Sequence, residues 1–154
     1  MIDDVALFLA HAVRLEADAA ETYERLALQM EERANVAVAA LFRQFAGYCR
    51  QHLAEARARA TRETGGVLEL SPDEYRWPDG HSPESPMPGD IQHLTVQDAL
   101  KTALETECSA CDFYSAVAGQ THSEAVQELA QEFAEEEAGH VEALKRWLER
   151  LGSP

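Results

Sequence analysis

From Ile2 to Met30 the chain returns an apolar or small residue every third or fourth position: Ile2, Val5, Leu9, Ala12, Ala19, Tyr23, Leu26 and Met30, with Glu16 set in the same stripe. Steps that alternate three and four keep one helix face turned inward, so the pattern predicts a bundle helix over residues 2 to about 33. Asn35 can cap a second helix, whose stripe is Val38, Leu41, Phe45, Cys49, His52 and Ala56. The connection between them is short, which makes the two helices antiparallel neighbours. Thr95, with Asp98 three residues on, opens a third helix with the stripe Val96, Leu100, Ala103, Glu107, Ala110, Tyr114 and Val117. Gly119 is expected to end it. Ser123 then caps a fourth, with Val126, Leu129, Phe133, Glu137, His140, Leu144 and Trp147 facing inward.

Between Thr64 and Leu94 the periodicity vanishes, and the stretch is broken throughout by Gly and Pro. Structureless connections of this length are rare in a compact domain unless they have work to do. Here two helical hairpins need a crossover that runs the length of a bundle. The expectation is an all-α, single-domain chain over residues 1–154: an antiparallel αα-hairpin over 2–63, a crossover over 64–94, and a second antiparallel hairpin over 95–151. At 154 residues such a domain buries a core without disulfides.

The chain also repeats itself. With Glu16 laid over Glu107, Val5, Leu9, Ala12, Ala19, Tyr23 and Ala27 fall on Val96, Leu100, Ala103, Ala110, Tyr114 and Ala118. With His52 laid over His140, Val38, Leu41, Phe45 and Ala46 fall on Val126, Leu129, Phe133 and Ala134. Apolar matches on a bundle seam carry little information, because any bundle requires them. Matched glutamates and histidines do carry it. The repeat has a polar centre of Glu16, His52, Glu107, Glu137 and His140, and Cys49 stands where it places a glutamate opposite Glu137.

Residues three apart on a helix lie about 60° apart around the axis and about 4.5 Å along it, so Glu137 and His140 can reach one ion. Several carboxylates buried without compensation would protonate before they stayed charged together. Cations resolve this, and carboxylate with imidazole suits iron or manganese. On these residues the chain resembles the ferritin-like, rubrerythrin-type di-iron carboxylate family. That pattern has one Glu from each of two helices and Glu-x-x-His from each of the others. Glu16 in "EADAAETY" and Glu107 in "ECSACDFY" match the single glutamates, Glu137 and His140 in "EEAGH" match a complete motif, and His52 in "CRQH" matches the histidine of the other. Cys49 departs from its glutamate.

The resemblance implies a ferritin-like four-helix bundle and an iron-dependent oxidoreductase of ferroxidase or peroxidase type, with metal ions and oxygen or peroxide as partners. It also implies an altered site at Cys49. There the thiol is either a small buried hydrophobe left after ligand loss or a thiolate ligand, which would favour zinc or change iron's redox behaviour. Three carboxylates and a thiolate would carry the same charge as four carboxylates. No rubredoxin-like pair of Cys-x-x-Cys motifs and no short fifth helix follow the bundle, so a small bundle or homodimer is expected in place of an iron-storage shell. A non-catalytic protein holding one ion at Glu107, Glu137 and His140 is the alternative, and a structural bundle with a vestigial site is the third reading.

Composition narrows this further. Acids outnumber bases by 28 to 13, for a formal charge of −15, which argues against nucleic-acid and anionic-membrane partners. The N-terminus has no basic region before its apolar run and no segment reaches the length of a membrane span, so a cytoplasmic protein is expected. Three cysteines cannot all pair in one chain. "CSAC", Cys108 to Cys111, lacks the setting of a redox motif, although Cys111 shares the face of Glu107 and leaves a thiol contact with Cys49 open. Tyr23 and Tyr114 read as core residues with a hydroxyl partner. The run "AEEEA" reads as solvated helix face apart from Glu137. Trp77, His81, His93 and His122 are given no chemistry.

Overall fold

A computed structural model of the chain describes residues 1–84 and 94–152. Four helices carry the fold: α1 (Val5–Glu32), α2 (Val36–Thr64), α3 (Val96–Gln120) and α4 (Glu124–Gly152). Each begins at a side chain able to satisfy an amide that the first turn leaves without a partner. Asp4, Asn35 and Thr95 accept from the amides of Ala6, Val38 and Asp98 at 3.0 Å, and Ser123 accepts from Val126 at 3.3 Å. Gly119 does not end α3. The helix runs one residue past it and stops at Thr121, whose extended backbone turns the chain away while its amide bonds back to Val117.

Helix α1 packs along α2, and α3 along α4. The result is the four-helix bundle of two αα-hairpins that the periodicity implies. The first hairpin is tight because one residue serves both helices. The amide of Asn35 closes α1 on Met30 O and that of Ala34 on Glu31 O, while the Asn35 side chain opens α2. This requires Ala34 to sit at φ 58°, a left-handed conformation that glycine takes without the Cβ clash. Ala34→Gly should therefore raise stability by about 0.5–1 kcal/mol, and the melting temperature by roughly 1–4 °C, in thermal denaturation.

The crossover contains one 3₁₀ turn, Pro72–Glu74, and otherwise turns and coil among its described residues. Residues 85–93 of the expected 64–94 crossover, with His93, lie outside the described residues. His11, buried on α1, fastens this strap. Its Nδ1 donates to Leu7 O at 2.8 Å and its Nε2 accepts the Arg76 amide at 2.8 Å, which requires a neutral ring. Burial, helped by the Arg76 charge, lowers its pKa and so favours that form. Tyr75, Trp77 and Phe113 pack around the imidazole, joining crossover, α1 and α3.

The apolar interior forms two clusters. One gathers Tyr23, Leu26, Met30, Phe42, Phe45, Leu100 and Leu144, and the other Phe8, Leu9, Leu15, Phe113, Tyr114, Val126 and Phe133. In every helix the boundary between them falls at the same height: around Glu16 in α1, His52 in α2, Glu107 in α3, and Glu137 with His140 in α4. A polar layer thus divides the core across the middle of the bundle. No helix among the described residues is long and apolar enough to cross a membrane.

Candidate metal centre

Three glutamates of this layer are almost wholly enclosed, with exposures of 2% for Glu16, 0% for Glu107 and 3% for Glu137. His52 and His140 lie at its edge. The tightest group is Glu107, Glu137 and His140, whose nearest donor atoms all fall within 4.8 Å of one another. His140 Nδ1 stands 3.4 Å from Glu107 Oε2 and 3.6 Å from Glu137 Oε2. Two donors each about 2.1 Å from one ion, at angles between 90° and 110°, are separated by roughly 3.0–3.4 Å. The 3.4 and 3.6 Å distances stand at and just beyond that spacing, close to what joint ligation needs.

On the other hairpin pair, His52 Nδ1 faces Glu16 Oε1 at 3.9 Å, and its ring stacks near that of His140 with centroids 6.0 Å apart. The two histidines related by the sequence repeat thus meet side by side. Cys49, 2% exposed, lies beside Glu16. Glu137 hydrogen-bonds both Glu16 and Glu107, linking the halves. All six residues singled out by the repeat come to one layer, with Glu107, Glu137 and His140 in the tight group and Glu16, Cys49 and His52 outside it.

The electrostatics are those of crowded buried acids. Burial and then the Glu107 charge push Glu16 up to about 8 and raise Glu137 well above the ordinary carboxyl range. For Glu107 burial works upward too, but Glu137, the His140 imidazole 3.4 Å away and the Tyr23 hydroxyl outweigh it and hold the group low. Ionisation is thus favoured at Glu107 and opposed by burial at its neighbours Glu16 and Glu137. Burial, with Glu16 and Glu107 beside it, raises the Cys49 thiol, and burial beside His140 lowers His52.

Several buried polar atoms here have no hydrogen-bond partner: Glu16 Oε2, His52 Nδ1, Glu107 Oε2, His140 Nδ1, Tyr114 Oη, and both carboxylate oxygens of Glu84. Such groups are rare in folded proteins because each forfeits its hydration. Here they converge, and the set is carboxylate and imidazole, the donors that iron and manganese take. The residues present fit a metal centre.

Three contacts of this region are not marked by the sequence pattern. Tyr23, expected to find some hydroxyl partner, donates to Glu107 Oε1 across the bundle. Glu136, read as solvated helix face, lies 3.4 Å from His52 Nε2 at the rim and can orient that ring with Nδ1 inward. Glu84 arrives from the crossover, where an acid in an aperiodic loop gives no signal at all. Conversely, Cys111 directs its Sγ to Ala134 O at 3.5 Å, all three cysteines are free thiols, and Cys49 finds Glu16 in place of Cys111.

The family model described as Rubrerythrin matches residues 98–154, the stretch that contains Glu107, Glu137 and His140. Among solved structures, an uncharacterized conserved protein from Magnetospirillum magnetotacticum MS-1 is similar at 32% identity and a TM-score of 0.80, covering 98% of this chain and 97% of that one. No curated protein matches the sequence.

Proposed function

The chain belongs to the rubrerythrin family of ferritin-like bundles, and on that premise we propose that it is an iron-dependent oxidoreductase acting on oxygen or peroxide through an altered carboxylate site. The observation that carries the reading is the convergence of unpartnered buried donors from all four helices on one layer. Iron bound there would supply one-electron chemistry toward a small oxidant. Glu107, Glu137 and His140 would hold one ion, and Glu16 with His52 the other, while Cys49 remains a thiol beside Glu16.

The protein's own groups would set the rest. Tyr23 occupies Glu107 Oε1 and so leaves Oε2 turned toward His140, which fixes the carboxylate's orientation and keeps a proton at the tyrosine oxygen. Around His140, Gln44, Phe45, Tyr48 and Trp147 line a surface pocket of about 260 Å³. It is wide enough for oxygen or peroxide and lies against the ring. Elsewhere the apolar clusters exclude water. Tyr23→Phe should keep the fold but weaken iron binding by about 10–100-fold, as seen on titration with Fe(II) under argon, because the carboxylate loses the group that orients it.

The reading is tested by metal analysis of protein purified without chelator, followed by oxygen uptake on adding Fe(II). Bound iron and stoichiometric oxygen consumption are expected. Protein that takes up no Fe(II), Mn(II) or Zn(II) would return the site to a structural layer. A second reading, one ion held at Glu107, Glu137 and His140 without turnover, draws on the closeness of those three residues alone. One ion per chain with no oxygen uptake would establish it.

A further inference from the structure

We propose that Glu84, delivered by the crossover, is a metal ligand of this centre and supplies the carboxylate that α2 lacks at Cys49. The inference rests on the reading of the layer as a metal site. Glu84 is 1% exposed, and neither of its carboxylate oxygens has a hydrogen-bond partner. A glutamate on a loop can ordinarily turn out to solvent, so its burial without a partner needs a reason.

Its backbone is held in place from both sides. Thr22 Oγ1 of α1 donates to Glu84 O at 3.5 Å, and the Glu84 amide donates to Ser82 Oγ at 3.3 Å. Ser82, itself buried, lies beside Asp18, which is paired with Arg14 at 3.3 Å. The segment is therefore clamped to α1 at Asp18 and Thr22, within two turns of Glu16. From that position the carboxylate is felt electrostatically by Glu107, Glu16 and Glu137, and by Cys49 and Tyr23. Its charge thus reaches the polar layer from the crossover rather than from a helix.

Charge gives the same answer. Glu16, Glu107 and Glu137 bring three negative charges, one fewer than two divalent ions require, and Cys49 offers a thiol where the repeat would place the fourth carboxylate. Glu84 restores the balance from a different element. A loop-borne ligand also makes the crossover, anchored at His11 through Arg76, part of the site rather than a tether between hairpins.

The test is anaerobic titration of the full chain with Fe(II) and with Mn(II), counted by elemental analysis, together with melting curves with and without Mn(II). Wild type should take two ions. Glu84→Gln, close in shape but uncharged, should take one, with the second weakened at least about tenfold, and its metal-free form should melt no lower than wild type. Glu84→Asp, which keeps the charge but withdraws it, should weaken the second ion by about tenfold and guards against a folding defect in the first variant. Cys49→Glu combined with Glu84→Gln should regain the second ion, a rescue that a purely structural Glu84 would not give. Unchanged metal affinity in Glu84→Gln or Glu84→Asp, or a wild type that takes one ion only, would overturn the role of Glu84 and leave the metal site standing. A wild type that takes up no ion would overturn both.

Discussion

Divalent metal should raise the melting temperature of this protein strongly, and more so at pH 8 than at pH 5. In the metal-free chain, burial and then Glu107 push Glu16 up to about 8 and raise Glu137 and Glu84 as well. A carboxyl whose folded pKa lies above its unfolded value contributes fully below the unfolded pKa of about 4.5, and loses that contribution as pH rises through the folded value. From pH 5 toward 8 the metal-free site therefore becomes a burden, since it must either retain its protons or hold like charges in a dry layer. Metal replaces those protons, and so binds more tightly as pH rises. At a free ion concentration about a thousandfold above the dissociation constant, one site adds about 4 kcal/mol. For a chain of this size that corresponds to a rise of roughly 8–16 °C. Melting curves with Mn(II) and with chelator at the two pH values provide the check. A rise that is equal at both would mean that the buried acids do not exchange protons for metal.

The helices and the polar layer are legible in the sequence because both are periodic. Glu16, His52, Glu107, Glu137 and His140 occupy seam positions, and a seam position on a long helix fixes direction as well as neighbourhood. Cys49 is visible for the same reason, as a break in a repeat. What escapes the pattern lies off the period or depends on how separate elements meet. Glu136 is one residue from Glu137 and turned by about 100°, so only the approach of α2 to α4 brings it to His52. Tyr23 finds Glu107 on the opposite hairpin, a pairing across distant parts of the chain. Glu84 is set between a serine and a proline-rich run with no period, and its burial follows from Ser82 and Thr22 clamping the loop. His11, which stands off the stripe of α1, holds the strap over that helix by accepting from Arg76. Periodicity describes what a helix presents, but not what a loop brings to it.

Glu137→Ala should lower total metal content far more than His52→Ala, leaving at most about one ion in ten bound under conditions that saturate the native protein. Glu137 stands at the junction of the layer. It hydrogen-bonds Glu107 and Glu16 and lies 3.6 Å from His140, so its removal opens the tight group and breaks the link between the halves at once. His52 lies farther from its nearest inward donor, at 3.9 Å from Glu16, is more exposed than the three glutamates, and belongs to the half in which Cys49 stands where the sequence repeat places a glutamate. Its loss should weaken one ion and leave the other on Glu107, Glu137 and His140. Folding is not the reason for the difference. In the metal-free protein Glu137 is a buried acid whose ionisation is opposed by burial and by Glu107, so truncating it relieves that conflict and offsets part of the small cavity it leaves. The metal-free variant should therefore melt within a few degrees of the native chain, roughly a 1–2 kcal/mol effect, while its response to Mn(II) nearly disappears. Elemental analysis and melting curves of the two variants side by side give the measurement. Equal metal loss in both would mean that the halves bind alike, and that the asymmetry introduced at Cys49 does not reach the ions.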